Sequence, residues 1–150
     1  MSDYQDVILL VEDNPDDVHL ISRAFRKANI ETPLEVAEDG DQAVNYLSGI
    51  DDADGCEMTP VLILLDLKLP RRSGFEVLAW IKRHARLRRV PVVVLTSSKT
   101  STDIERAYDL GANSYLAKPL RPEGLLSMVT QINSYWLSLN ERAVVRRAGT

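Results

Sequence analysis

The chain has very little cysteine: Cys56 is its single thiol in 150 residues. One thiol excludes an internal disulfide and a multi-cysteine metal site, and it fits a reducing, cytosolic setting. Basic charge is also in deficit. Eighteen Lys and Arg stand against 22 Asp and Glu, a net charge of −4, which disfavours generic nucleic-acid binding. No apolar run approaches the ~20 residues of a membrane span. The N-terminus, Met1-Ser2-Asp3-Tyr4-Gln5-Asp6, has neither a basic stretch nor a signal-length apolar stretch. There is no internal repeat and no low-complexity segment.

What remains is the profile of one soluble domain, 45% hydrophobic and 27% charged. At this length roughly 68–70% of the unfolded surface can be buried. Strand-like runs lie at Val7–Val11, Leu34–Ala37, Val61–Leu65, Val92–Leu95 and Ser114–Ala117. Those starting at Val7, Val61 and Val92 are continuously apolar, as in strands covered on both faces of a parallel sheet.

Helical patterns alternate with them. The first has Asn14 as cap, Pro15 at the first helical position, and Asp16 and Asp17 at the positive end of the dipole. Val18, Ile21, Ala24, Phe25 and Ala28 then share one face. Further helices are predicted over Asp41–Leu47, Phe75–His84, Thr102–Leu110 and Pro122–Leu139, with Gly111 as a C-terminal stop. Ser48–Pro60 reads as a long polar loop.

The order βαβαβαβαβα with right-handed crossovers is a doubly wound α/β sheet. Such sheets bind ligands outside the carboxyl ends of their strands. Four of those ends carry chemistry: Glu12 and Asp13, then Asp66, then Thr96 with Ser97 and Ser98, then Lys118 with Pro119. Clustered carboxylates bind a cation or take up a proton. Mg²⁺ takes one or two carboxylates and keeps several waters, a role that suits Glu12 and Asp13 with Asp66 bridging. Asp66 can attack phosphorus as in aspartyl-phosphate chemistry, while Thr96 and Lys118 clamp the transferring group. The Lys118–Pro119 bond leaves both isomers open, trans being far the more frequent.

Taken singly, each motif has a plain reading. The acidic pair suits a solvated turn, Asp66 a loop cap, Thr96-Ser97-Ser98 a helix cap and Lys118 a surface lysine. Their ordered combination is specific. The pieces Val11-Glu12-Asp13-Asn14, Leu64-Leu65-Asp66-Leu67-Lys68-Leu69-Pro70, Ser73-Gly74, Leu95-Thr96-Ser97 and Ala112-Asn113-Ser114-Tyr115-Leu116-Ala117-Lys118-Pro119 resemble the response-regulator receiver domains of two-component signalling. The resemblance covers about residues 6 to 139 and places the receiver domain at 1–139, with a tail at 140–150.

That resemblance implies a flavodoxin-like five-stranded parallel sheet of order 2-1-3-4-5 with five helices, the last one extended. It implies Asp66 as phospho-acceptor. It implies Mg²⁺ held by Glu12, Asp13, Asp66 and the backbone carbonyl of Lys68. Thr96 becomes the switching hydroxyl, Lys118 the phosphate counter-ion and Tyr115 the aromatic that moves with Thr96. Such a protein is a stand-alone cytoplasmic response regulator. It catalyses only its own phosphorylation and dephosphorylation, and residues after Leu139 are too few for a DNA-binding module.

Two departures stand out: Arg71-Arg72-Ser73, where the family has an apolar and then an acidic or amide residue, and the charged Lys68. The Leu-Pro-Arg-Arg-Ser-Gly loop, the Ser48–Pro60 loop and Tyr135-Trp136-Leu137 resemble a subgroup that pairs with phytochrome-type histidine kinases. The overrunning last helix makes Tyr135, Trp136 and Leu139 a candidate homodimer surface, against the alternative that Trp136 folds back on its own domain. His19 and His84 read as surface residues, the basic run Lys82–Arg89 as a solvated helix end, and Cys56 as unreactive. Two rivals carry weight. An aspartate-nucleophile phosphatase would need an acid where Lys68 stands. A phosphorylation-independent scaffold would not need the intact set.

Overall fold

A computed structural model describes residues 5–52 and 58–143. Five parallel strands, β1 (Gln5–Val11), β2 (Leu34–Ala37), β3 (Met58–Leu65), β4 (Val92–Thr96) and β5 (Ser114–Ala117), form one sheet in the order β2-β1-β3-β4-β5. The helices are α1 (Pro15–Lys27), α2 (Gly40–Asp52), α3 (Gly74–Arg83), α4 (Ser101–Asp109) and α5 (Pro122–Ser134).

The continuous apolar runs serve two cores, because successive strand side chains point to opposite faces. Leu9, Val11, Ile63, Leu65, Val92 and Val94 pack with Leu47, Val77, Leu78, Ile81 and Ala107 of α2, α3 and α4. Ile8, Leu10, Leu62, Leu64, Val93 and Leu95 pack with Ile21, Phe25, Leu125 and Val129 of α1 and α5. The alternation slips once. Val7 pairs with Pro60 but Ile8 with Leu62, so Val61 is an extra residue opposite β1. Pro60 offers no N–H to a ladder, and the bulge falls beside it. Val61 and Leu62 therefore join the same core.

The α1 start is as predicted: the Asn14 side chain accepts from the Asp16 and Asp17 amides, with Pro15 in the first turn. Gly111 takes φ +105° after α4. Two expectations are corrected. Ser48–Pro60 is not one loop, since α2 continues to Asp52 and β3 begins at Met58. Ile50 packs against the core, which holds those turns helical despite polar neighbours. Cys56 lies outside the described residues. The cap of α4 is Thr100, not Thr96-Ser97-Ser98; its hydroxyl accepts from the Asp103 amide.

The last helix runs on to Leu139 as expected, α-helical to Ser134 and then widened into a π turn over Tyr135–Leu139. The Asn140 amide reaches the Tyr135 carbonyl at 2.7 Å. This turn brings Trp136 and Leu137 against the α1/α5 core and leaves Tyr135 and Leu139 50% and 73% exposed. No cis peptide bond occurs among the described residues, so Lys118–Pro119 is trans. His84 is a structural residue: its Nδ1 accepts the Arg86 and Leu87 amides, each at 3.1 Å, and turns the chain toward β4.

Candidate phosphoryl-transfer site

The carboxyl ends of β1, β3, β4 and β5 meet at one rim because the four strands are in-register neighbours. The Asp66 amide donates to the Val11 carbonyl at 3.1 Å, so the chain leaving β3 stays tied to the β1 end. The Lys118 amide does the same to the Thr96 carbonyl at 2.8 Å. Behind Asp66 the loop closes tightly. A Cβ on Gly74 would lie 2.1 Å from the Asp66 carbonyl oxygen, so only glycine fits there.

Glu12, Asp13 and Asp66 each offer an oxygen within 4.8 Å of the others, a set that could hold a metal ion. Two of the three, Glu12 and Asp66, are buried, whereas Asp13 is exposed and leaves one side open. Burial, with the Asp66 charge adding to it, pushes the Glu12 carboxyl up to about 7 against the opposing pull of Lys118. This cluster is under-compensated, and an oxygen-liganded divalent cation would relieve it.

One ammonium meets the acids from the β5 side. Lys118 Nζ contacts Glu12, and lies 2.9 Å from Asp17 Oδ2 and 3.1 Å from Asp66 Oδ2. Burial lowers its pKa, but the bonds to Glu12, Asp17 and Asp66 outweigh this and hold it above its usual value. Thr96 is 0% exposed, and its Oγ1 has no hydrogen-bond partner. A buried hydroxyl without a partner is rare and costly, and the phosphate clamp assigned to Thr96 would supply one. Tyr115 is half-buried, its hydroxyl donating to the Ser98 carbonyl at 2.9 Å; burial raises its pKa. Ser98 itself donates to Asp103 at 2.6 Å, so Tyr115 is tied to the β4–α4 loop.

Glu12, Asp13, Asp66, Thr96 and Lys118 lie together at this rim. Lys68 contributes a backbone amide to Asp66 Oδ1 at 3.4 Å while its side chain is exposed. Asp17, which in sequence reads only as a dipole-compensating helix residue, joins the site. The Arg71-Arg72 departure also acquires a role. Arg71 pairs with Asp39 at 3.4 Å and Arg72 with Asp41 at 3.3 Å, locking the β3–α3 loop to the start of α2. A Cβ on Gly40 would sit 2.0 Å from the Arg72 carbonyl oxygen, so the two segments touch backbone to backbone.

A doubly wound sheet with acids, a hydroxyl and an ammonium on its carboxyl rim defines a class: aspartate-centred phosphoryl acceptors. Residues 8–130 match the response regulator receiver domain family, and the chain belongs to it. It is 46% identical over 134 residues to the probable methanogenesis regulatory protein FilR2 of Methanothrix harundinacea, covering 89% of this chain and 85% of that protein. It is 41% identical to response regulator Rcp1 of Synechocystis, covering 87% and 88%. Among solved structures, the phosphorylated cyanobacterial phytochrome response regulator RcpA superposes with TM-score 0.83 at 38% identity, covering 94% of this chain and 99% of that one. The Mn²⁺-bound form of Rcp1 gives TM-score 0.80 at 38% identity, covering 92% and 99%. The chain is thus a two-component signalling protein of the kind that histidine kinases phosphorylate. No helix among the described residues is long and apolar enough to cross a membrane.

Proposed function

We propose that Asp66 is the phospho-acceptor of a Mg²⁺-dependent cytoplasmic switch whose partner is a phytochrome-type sensor histidine kinase. The observation that carries the reading is the unpartnered, fully buried Thr96 hydroxyl on the rim where Lys118 Nζ lies 3.1 Å from Asp66. An Asp66 oxygen attacks the phosphorus of phosphohistidine; the new O–P bond forms as the N–P bond breaks, and the imidazole leaves with the electron pair. Lys118 and Thr96 then bind the phosphoryl oxygens. Glu12, Asp13, Asp66 and the Lys68 carbonyl would hold Mg²⁺, which supplies neutralisation of the charge on the transferring group. The chain catalyses no other reaction than its own phosphorylation and dephosphorylation.

Movement of Thr96 toward the phosphoryl group opens space beside β4. Tyr115 follows and carries the β4–α4 loop with it through its bond to Ser98. The receiver unit is taken to end at Leu139, where the π turn ends, with 140–150 as a tail. A homodimer through Tyr135, Trp136 and Leu139 fits the exposure of the first and last, while Trp136 meets Tyr135 edge-on and packs on its own core. The phytochrome-type kinase is supported by the likeness to RcpA.

Incubation with acetyl phosphate and Mg²⁺ should add one labile acyl phosphate by intact mass. Absence of that shift, or equal labelling of Asp66→Asn, removes the assignment. Steady turnover of para-nitrophenyl phosphate would favour the phosphatase reading instead, but Lys68 leaves that chemistry without its acid. Light scattering of Trp136→Ala checks the dimer: an unchanged mass counts against that surface.

A further inference from the structure

Resting on that assignment, we infer that Asp17 is the positioning residue for Lys118 during phosphoryl transfer. Lys118 has three carboxylate partners, Glu12, Asp17 and Asp66. Two of them have other work in the reaction. Glu12 and Asp66 would hold the cation, and Asp66 would also take the phosphoryl group. Asp17 is not in the carboxylate set that could hold a metal. It is therefore the partner that stays with the ammonium when the other two are drawn away.

Its placement suits that task. Asp17 sits in the first turn of α1, on an element fixed by the Asn14 cap and by Ile21, Ala24 and Phe25 in the core. The helix start favours its negative charge. Its side chain is 33% exposed, against 2% for Glu12, so it is less desolvated than that neighbour. The bond to Lys118 spans 101 residues and joins α1 to the end of β5 at 2.9 Å. A lysine has a long flexible stem, and a single fixed acceptor removes much of its freedom. Held this way, two of its three N–H donors remain for the phosphoryl oxygens.

The test compares Asp17→Ala, Asp17→Ser and Asp17→Asn with wild type. Serine suits a first helical turn but falls short of Lys118, whereas asparagine keeps an oxygen acceptor in place. With acetyl phosphate at saturating Mg²⁺, the maximal labelling rate should fall about tenfold in the Ala and Ser variants, the loss of one charge-assisted hydrogen bond. The half-saturating donor concentration should stay put, and Asp17→Asn should recover most of the rate. The second readout is the ¹⁵N–¹H signal of the Lys118 ammonium, measured without any phosphodonor. It should persist in wild type when Mg²⁺ is added and disappear in the Ala and Ser variants.

Both readouts are required. Wild-type labelling rates in the Ala and Ser variants overturn the inference, and so does a Lys118 signal that survives Mg²⁺ in them. A wild-type chain that takes no phosphoryl group at all would instead defeat the Asp66 assignment.

Discussion

Replacing Thr96 by valine should stabilise this protein and disable it at once. The Thr96 hydroxyl is completely buried and unpartnered. A hydroxyl in that situation costs about 1–3 kcal/mol by the standards of protein mutations. Valine has nearly the same shape and replaces the hydroxyl with a methyl group, so no cavity opens. The expected gain is about 1–2 kcal/mol, seen as a rise in urea midpoint at constant slope. It corresponds to roughly 2–4 °C per kcal/mol in thermal midpoint for a chain of this size. Adding beryllofluoride with Mg²⁺, which mimics the phosphoryl group, should reverse the ranking. Wild type then gains a hydrogen bond to a charged group, about 1.5–3 kcal/mol, that valine cannot make. A Thr96→Val variant more than about 1 kcal/mol less stable than wild type at rest would refute the reasoning. It would mean that the hydroxyl already has a partner in solution and is not held ready for a ligand.

Other consequences are as specific. Gly74→Ala forces a methyl against the Asp66 carbonyl at 2.1 Å, a backbone atom that cannot step aside; unfolding titration should show a loss of about 3 kcal/mol, the upper end for overpacking. Lys82 donates to Asn113 Oδ1 at 2.9 Å and to the carbonyls of Val90 at 3.1 Å and Arg88 at 3.3 Å, and burial lowers its pKa from 10.5 to about 8. Between those values the unfolded chain holds the extra proton, so wild-type stability should rise with pH relative to Lys82→Met over roughly pH 8–10.5; a flat difference in urea unfolding across that window contradicts the shift. Arg72→Ala, which breaks a half-exposed pair with Asp41, should cost only about 0.5 kcal/mol and less in high salt, with labelling of Asp66 unchanged.

The strands were legible because they are buried on both faces. Val7–Val11, Val61–Leu65 and Val92–Leu95 carry no polar residue, whereas a strand with one wet face would alternate. The rim followed from the strands, since each run stops at an acidic or hydroxyl residue: Glu12, Asp66 and Thr96. Other features are written in contacts rather than in composition. Residues 48–52 look like a loop by polarity, yet α2 continues through them while Ile50 packs on the core. The π turn at Tyr135–Leu139 has no residue signature, because widening by one residue is a backbone adjustment that lets Trp136 and Leu137 reach the core. Asp17 reads as helix electrostatics from its neighbours in sequence, while its partner lies 101 residues away.

The pocket at rest concentrates irregularities that a packed core avoids. Two layers of apolar side chains fill both faces of the sheet, yet its carboxyl rim buries a carboxyl whose pKa is pushed up to about 7 and a hydroxyl with no partner. Each irregularity costs stability in the absence of ligand. On the proposed assignment, a cation would answer the crowded Glu12, Asp13 and Asp66 oxygens, and a phosphoryl group would answer Thr96 and share Lys118 with Asp66. The same ligands would then resolve both defects, and the bound state would gain a free-energy advantage located at Thr96, beside Tyr115 and the β4–α4 loop. A ligand shifts a conformational equilibrium only by its differential interaction with the two states. In the proposed switch that difference would reside in one unpaired hydroxyl and one over-shared ammonium.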